Sequence, residues 1–380
     1  MIDPERLKLE FLTLAGIDSP STRERDLAQH LISVFEALGG ECFFDHSAVY
    51  SRSNTGNLIV RIPGRSDLEP LLLSAHLDTV EPTPEVQPVE EAGIIRNEKG
   101  GLVGADDKSG IAVIIELVRA LRDSGASHPP LELVFTTCEE IGLFGARYLD
   151  YRLLRAKMGY ILDSEDPRKV IVKAPEAIKF RLKVLGRAAH TGLEPEKGLS
   201  AIKLAAEALA RLPNGRIDEE TTLNFGTIKG GKATNIVPEE VLIEGEIRSH
   251  DTAKIDSLWE RINETFREVC SPPEPDGRPA FSAHREEMFP RFRVDPEHPV
   301  LRLLSRAASR LGMDLEYAKS EGGSDANIFN RNGITCVILG TGMRRVHSPE
   351  EYLVVEDMVL CTKLLYEVVV SAGEGALQPD

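Results

Sequence analysis

Histidine and carboxylate side chains recur along this chain in one kind of place, just after a short apolar run. Ser74-Ala75-His76-Leu77-Asp78 closes a run over 70–76. Residues two apart on a strand point the same way, so Asp78 can hydrogen-bond one imidazole nitrogen of His76 and aim the other at a metal. Gly104-Ala105-Asp106-Asp107-Lys108-Ser109-Gly110 sets two adjacent acids between glycines, ahead of a helical pattern. Capping a helix needs only one of them, which leaves the other free to bridge two metals. Cys138-Glu139-Glu140 follows a run over 131–137. Neighbours at a strand end point apart, so one glutamate can bind metal while the other holds a water as general base. Asp163 ends a run over 158–162, and His347 lies in Arg344-Arg345-Val346-His347-Ser348-Pro349. Taken singly, each has an ordinary reading as a paired strand-end histidine, a helix cap, a solvated acid pair or an exposed loop histidine. Taken together, mixed histidine and carboxylate donors suit zinc, with cobalt or manganese as substitutes.

The elements that must position these groups are legible in the hydrophobic pattern. Residues 4–39 carry helical spacing, with Ser21 or Thr22 as the cap of a helix ending at Gly39-Gly40. Apolar runs over 57–62, 70–76, 131–137 and 158–163 read as buried strands, and they alternate with helical patterns over 108–122 and 144–154. Such alternation indicates an α/β layered domain with a largely parallel sheet. Near Pro175 the pattern changes. A half-exposed strand over 178–185, a helix over 199–211, strands over 222–229 and 240–248, a helix over 252–270 and a strand over 280–289 give a β-α-β-β-α-β order. That order is the ferredoxin-like motif. Helix (299–311), strand (334–340) and helix (356–371) then resume. The expected organisation is a catalytic domain of residues 1–175 and 293–380 with an inserted domain of residues 176–292. The Pro-rich stretch 271–279 is expected to be a loop of the insert.

Bulk properties narrow the function. A formal charge of −16 over 380 residues repels nucleic acid and anionic membranes alike, so neither is an expected partner. No run approaches the roughly 18 apolar residues of a membrane span. The start, MIDPERLKLE, has neither the basic residues nor the apolar stretch of a signal peptide. Five scattered cysteines without a CxxC pair read as reduced thiols, and the expected location is the cytoplasm.

HLDT, GADDKSG, CEEIG, a strand-end Asp and RxxHSPxE occur in that order, and the set resembles the dizinc exopeptidase and aminoacylase family. That family includes peptidase T, carboxypeptidase G and succinyl-diaminopimelate desuccinylase. The resemblance covers essentially the whole chain and is nearest to the peptidase T branch, the tripeptide aminopeptidases. It implies a zinc-peptidase-like, mostly parallel sheet sandwiched by helices, with the inserted α+β domain as lid and dimerisation element. By the same resemblance His76, Asp106 and Asp163 hold one zinc, while Glu140, His347 and the shared Asp106 hold the other. Asp78 orients His76, Glu139 is the base, and a cis peptide follows Asp106. A hydroxide between the zincs attacks the amide carbon, and Glu139 carries its proton to the leaving amine. In the insert, His190 of Gly186-Arg187-Ala188-Ala189-His190-Thr191-Gly192 resembles the lid histidine that reaches the reacting carbonyl. Asn235 and Arg248 resemble lid residues that hold a substrate carboxylate, and Gly323 of Gly322-Gly323-Ser324-Asp325 belongs to a substrate-facing loop. One feature departs from peptidase T, where glycines follow the Asp that matches Asp163; here Ser164-Glu165-Asp166 follows.

The expected activity is therefore metal-dependent removal of an N-terminal residue from short peptides. An aminoacylase, dipeptidase or carboxypeptidase acting on peptides or acylated amino acids is the alternative within the same chemistry. A non-catalytic binding homologue is a second class, and every ligand and the base being present argues against it. Gly226–Ala233 nearly spells a P-loop but lacks the Ser/Thr that would hold magnesium, and neither HExxH nor GxSxG occurs.

Overall fold

The structure, a computed structural model, describes residues 2–81, 86–271 and 280–375. It divides into two compact units, Met1–Lys173 with Phe292–Ser320 and Ser324–Asp380, and Ala174–Arg291 with Glu321–Gly323. The division falls beside the expected limits, except that Glu321–Gly323 groups with the second unit.

The core of the first unit is a sheet ordered Glu41–Phe44, Leu58–Ile62, Leu131–Thr136, Leu71–His76, Met158–Ser164, Thr335–Gly340, Lys169–Ala174 and Phe292–Arg293. Its central strands run parallel, with Leu71 opposite Leu131, Ser74 opposite Ile161 and Ile161 opposite Ile338. Leu71–His76 and Leu131–Thr136 are buried at every position, as parallel strands covered on both faces must be. This register brings the carboxyl ends of three strands level, where ligand sites of α/β sheets lie. Helix Ala105–Ser124 packs against Leu71–His76 and Met158–Ser164, and helices Pro4–Ala15 and Val355–Gly373 pack against it in turn. A second, antiparallel sheet joins Met343–Arg344, Tyr352–Val354, Ile94–Asn97 and Pro88–Glu91.

Local chemistry explains where helices begin, and two expectations change. The helical spacing over 4–39 belongs to two helices, Pro4–Ala15 and Arg25–Ala37, separated by a bend from Gly16. Asp3 caps the first by accepting from the Glu5 and Arg6 amides. The second is preceded by Glu24, not capped by Ser21 or Thr22, because Ser21 gives its hydroxyl to Asp78 and Thr22 has φ 77°. The pattern over 144–154 is helical only through Phe144–Arg147 and resumes as a 3-10 turn at Tyr151–Leu153, where Asp150 accepts from the Arg152 amide.

The second unit has a sheet ordered Gly215–Asp218, Thr221–Gly230, Glu240–Ser249, Glu176–Leu185 and Phe281–Phe289. Without the short first strand, this is the ferredoxin-like arrangement. Glu240–Ser249 alternates between partly exposed and buried positions along its whole length, as a sheet with one covered face requires. Phe180, Leu182, Ile243, Ile247, Ile262 and Phe266 share the core beneath helices Ala201–Ala210 and Thr252–Val269. The expected loop over 271–279 lies, from 272 onward, outside the described residues.

Candidate active site

His76 ends its strand almost fully buried. Its Nδ1 lies 2.8 Å from the main-chain oxygen of Asp78, which fixes the ring so that Nε2 faces Asp106 Oδ1 at 2.9 Å. The expected role of the Asp78 carboxylate is thereby corrected: its Oδ1 stands 3.6 Å from Nδ1, and the main-chain carbonyl makes the close contact. The strand ends at His76, so the alternation that would align the two side chains stops there. The carboxylate turns to the neighbouring strand end instead, accepting from the Glu139 amide at 2.9 Å, the Glu140 amide at 3.2 Å and the Ser21 hydroxyl at 2.7 Å. Asp78 thus holds the turn that carries both glutamates.

Asp106 and Asp107 are joined by a cis peptide bond and leave helical geometry at the start of Ala105–Ser124. The two acids part company. Asp106 presents Oδ1 to His76 and Oδ2 to His347 Nε2, the latter at 3.1 Å. Asp107 accepts from the His76 amide at 3.1 Å and the Gly110 amide at 3.2 Å, a capping and bracing role. Gly110 is needed there, since a Cβ would come within 2.5 Å of Asp107 Oδ1 and of the Leu162 carbonyl.

Beyond Leu131–Thr136, Cys138 adopts φ 54°, and the Glu139 carbonyl accepts from the Gly142 and Leu143 amides at 3.0 and 2.8 Å. This tight turn sends the glutamates different ways. Glu140 Oε1 lies 2.8 Å from His347 Nε2, whereas Glu139 makes no side-chain ion pair among the described residues and is only 8 % exposed. His347 sits at φ 60° in the hairpin between Met343–Arg344 and Tyr352–Val354, in the small antiparallel sheet rather than beyond a strand of the main one. Ligand atoms of His76, Asp106 and Glu140 lie within 4.8 Å of one another. Asp163 is outside that tight group, at the end of Met158–Ser164, within electrostatic reach of Asp106, His76 and Glu140.

The electrostatics are those of an acid cluster short of positive charge. Burial, then the neighbouring acids, hold Glu139 and Asp163 well above the ordinary carboxylate range, with His76 opposing. Burial also raises Glu140, against the hydrogen bond from His347. At Asp106 burial works upward too, but bonds from His347 and His76 outweigh it and hold the carboxyl low. The same contacts push His347 up to about 10. Buried carboxylates converging on two imidazoles fit divalent cations, whose charge would relieve their mutual repulsion. Cys138 offers no nucleophile, because burial and Glu24 push its thiol far up.

Three buried acids that sequence reasoning left without a role brace this site. Glu24 accepts from the Thr22 and Cys138 amides, both at 3.0 Å, and from Ser53 Oγ. Asp325, quoted only as part of the substrate-facing loop, accepts from Thr136 Oγ1 at the end of Leu131–Thr136. Glu351 accepts from the amides of the loop before Asp107. Its place in RxxHSPxE was the available signal.

The remaining expected residues all belong to the second unit, where their contacts group them as two pairs. His190 and Ile236 form an antiparallel bridge, and the Thr191 amide donates to the Asn235 carbonyl, so exposed His190 and exposed Asn235 are neighbours. His190 Nδ1 accepts from the Gly192 amide at 3.1 Å, which assigns the ring proton to Nε2. Arg248 donates to Glu246 at 3.0 and 3.2 Å and lies 6.0 Å from the centre of the Phe289 ring. Gly323 borders the same ring, where a Cβ would come within 2.5 Å.

The profile of peptidase family M20/M25/M40 matches residues 72–371. An uncharacterized protein of Bacillus subtilis, YqjE, is 35% identical over 98% of this chain and 100% of its own length. Among solved structures, a tripeptidase from Staphylococcus aureus superposes with TM-score 0.92 at 33% identity, covering 98% of this chain and 100% of that one. Aminopeptidase PepT from Bacillus cereus does so with TM-score 0.90 at 34% identity, covering 98% and 99%.

Proposed function

This chain belongs to peptidase family M20/M25/M40 and is a metallopeptidase, and we propose that it removes the N-terminal residue of short peptides, tripeptides above all. The observation that carries the metal site is Asp106, which offers one carboxylate oxygen to each of two imidazoles, as an acid shared by two cations must. In this reading His76, Asp106 and Asp163 hold one cation, and Glu140, His347 and Asp106 hold the other. The donor set, two imidazoles with carboxylates and no thiolate, suits zinc, and cobalt or manganese can substitute. A metal pair held there would supply Lewis acidity, lowering the pKa of a bound water and polarising the amide carbonyl.

The chain's own groups do the rest. Glu139 is the proton carrier. Buried in the same turn as the ligand Glu140, it is placed to take the proton of the attacking water and pass it to the leaving amine. Asp78, bonded to the Glu139 and Glu140 amides, keeps base and ligand in fixed relation. In the resemblance His190 is the donor to the carbonyl oxygen, and its assigned Nε2–H suits that role. Asn235, Arg248 and the Gly323 loop receive the substrate, with the guanidinium fork matched to a terminal carboxylate. Arg248 must exchange Glu246 for that carboxylate on binding.

Hydrolysis of tri-alanine, N-acetyl-tri-alanine and tri-alanine amide tests the direction of attack. Loss of turnover on acetylation is expected of an aminopeptidase; retained turnover there would favour an aminoacylase or carboxypeptidase. Arg248→Ala is expected to raise KM for tri-alanine by about 10–100-fold, the scale of a charged hydrogen bond of roughly 1.5–3 kcal/mol, and to leave the amide nearly unaffected. Equal losses on both substrates would remove Arg248 from carboxylate recognition.

The reading includes a homodimer formed through the second unit. Strand Thr221–Gly230 pairs with Gly215–Asp218 only as far as Leu223, so from Asn224 on it has no strand neighbour on that side among the described residues, and Ile228 is 55% exposed. An open edge of this kind can take a second copy's strand. Light scattering of the purified chain distinguishes one copy from two.

A further inference from the structure

Glu351 is a glutamate with almost no access to solvent, 3 % exposed, and its carboxylate is spent entirely on main-chain amides. Oε2 accepts from the Val103 amide at 2.6 Å and the Gly104 amide at 2.8 Å. Oε1 accepts from the Asp106 amide at 3.2 Å. Lys108, a buried cation within electrostatic reach of Glu351, donates instead to the Ile17 carbonyl at 2.6 Å. A buried carboxylate held by amides alone is an expensive arrangement, so what it fixes matters.

It fixes two segments to each other. Glu351 follows His347 by four positions and is tied back into that turn by its own amide, which donates to the Ser348 carbonyl at 3.1 Å. The Gly101 amide donates to the Pro349 carbonyl at 3.0 Å, a second tie between the same two segments. One segment carries Asp106 and the other carries His347, which meet at 3.1 Å. We propose that Glu351 is a positioning residue for the metal pair, holding the Asp106 peptide and the His347 turn in one register so that the shared carboxylate faces both imidazoles. This rests on the metal reading given above.

The chemistry of the side chain makes the inference sharp. All three bonds need an acceptor, and glutamine has only one acceptor atom. In Glu351→Gln the oxygen can serve Val103 and Gly104, but the amide group must then face the Asp106 N–H, donor against donor. Shape and packing are retained while the ligand's own peptide is released.

Zinc and cobalt affinities of wild type, Glu351→Gln, Glu351→Ala and Glu350→Gln, each stripped by chelator and re-titrated, test this. Glu350 is the exposed neighbour and serves as control. Expected for Glu351→Gln is at least about 10-fold weaker binding of one equivalent or both, the usual cost of losing a group that orients a ligand. Its cobalt absorption spectrum should change and kcat should fall with little change in KM. The stripped Glu351→Gln protein should keep a cooperative melting transition within about 4 °C of wild type. Glu350→Gln should match wild type throughout. Wild-type affinity and spectrum in Glu351→Gln would overturn the inference. So would an affinity loss accompanied by an equal collapse of the stripped protein, in Gln and Ala variants alike, since that marks a merely structural acid. Failure of the wild type itself to take up metal would overturn the metal pair and this inference with it, and that outcome is distinct because it appears before any substitution.

Discussion

Glu139→Gln is expected to lower kcat for tri-alanine by about 10²–10⁴-fold, the range ordinarily supplied by a positioned general acid–base group. KM and metal content stay within about twofold, because a transition-state contribution is removed and ground-state binding is not. The substitution is nearly isosteric. The Glu139 amide remains bonded to Asp78 and its carbonyl to Gly142 and Leu143, so the turn and the adjacent Glu140 keep their places. What disappears is the ability to accept a proton at that buried position. Steady-state kinetics with parallel metal analysis decides the matter. A kcat within threefold of wild type would transfer the base role to another group, and Asp325, buried beside the same strand end, would be the next to test.

Asp106→Ala is expected to abolish both metal occupancy and turnover. Among the described residues no other carboxylate lies within 3.1 Å of both His76 and His347. Without it each imidazole keeps at most one acid partner of its own, and two cations would face each other with no shared anion between them. Lewis-acid stabilisation is worth several kcal/mol, and each 1.36 kcal/mol is a decade in rate, so a loss of more than about 10³-fold follows. Metal analysis after dialysis should find fewer than one equivalent. Two retained equivalents with full activity would move the bridging role to Asp107, whose oxygens are engaged by the His76 and Gly110 amides.

The contrast between these adjacent acids shows what sequence reasoning can reach. That one of Asp106 and Asp107 could bridge and the other cap followed from residue type and position; the choice of Asp106 as the bridge came from the resemblance, and the amide bonds of Asp107 support that choice. The strands that lead to His76, Glu139 and Asp163 were legible because buried parallel strands are near-continuous apolar runs, and the polar residues that end or follow each run stand out. The small sheet that carries His347 was not. Its strands have two to four residues, too short for any period to register. For Asp78, strand alternation was extended past the strand's last residue, and it is the main-chain carbonyl rather than the carboxylate that makes the close contact with His76. Glu24 and Glu351 went unassigned for another reason. A glutamate in sequence looks solvated, and only burial turns it into a brace.

Measurement of bound metal together with tri-alanine hydrolysis, on purified protein before and after chelation and after return of zinc or cobalt, tests the two-metal peptidase reading most directly. Two equivalents per chain, with alanine release that vanishes on chelation and returns with metal, is the predicted result. Hydrolysis indifferent to chelation, or a chain that takes up no metal, would contradict it.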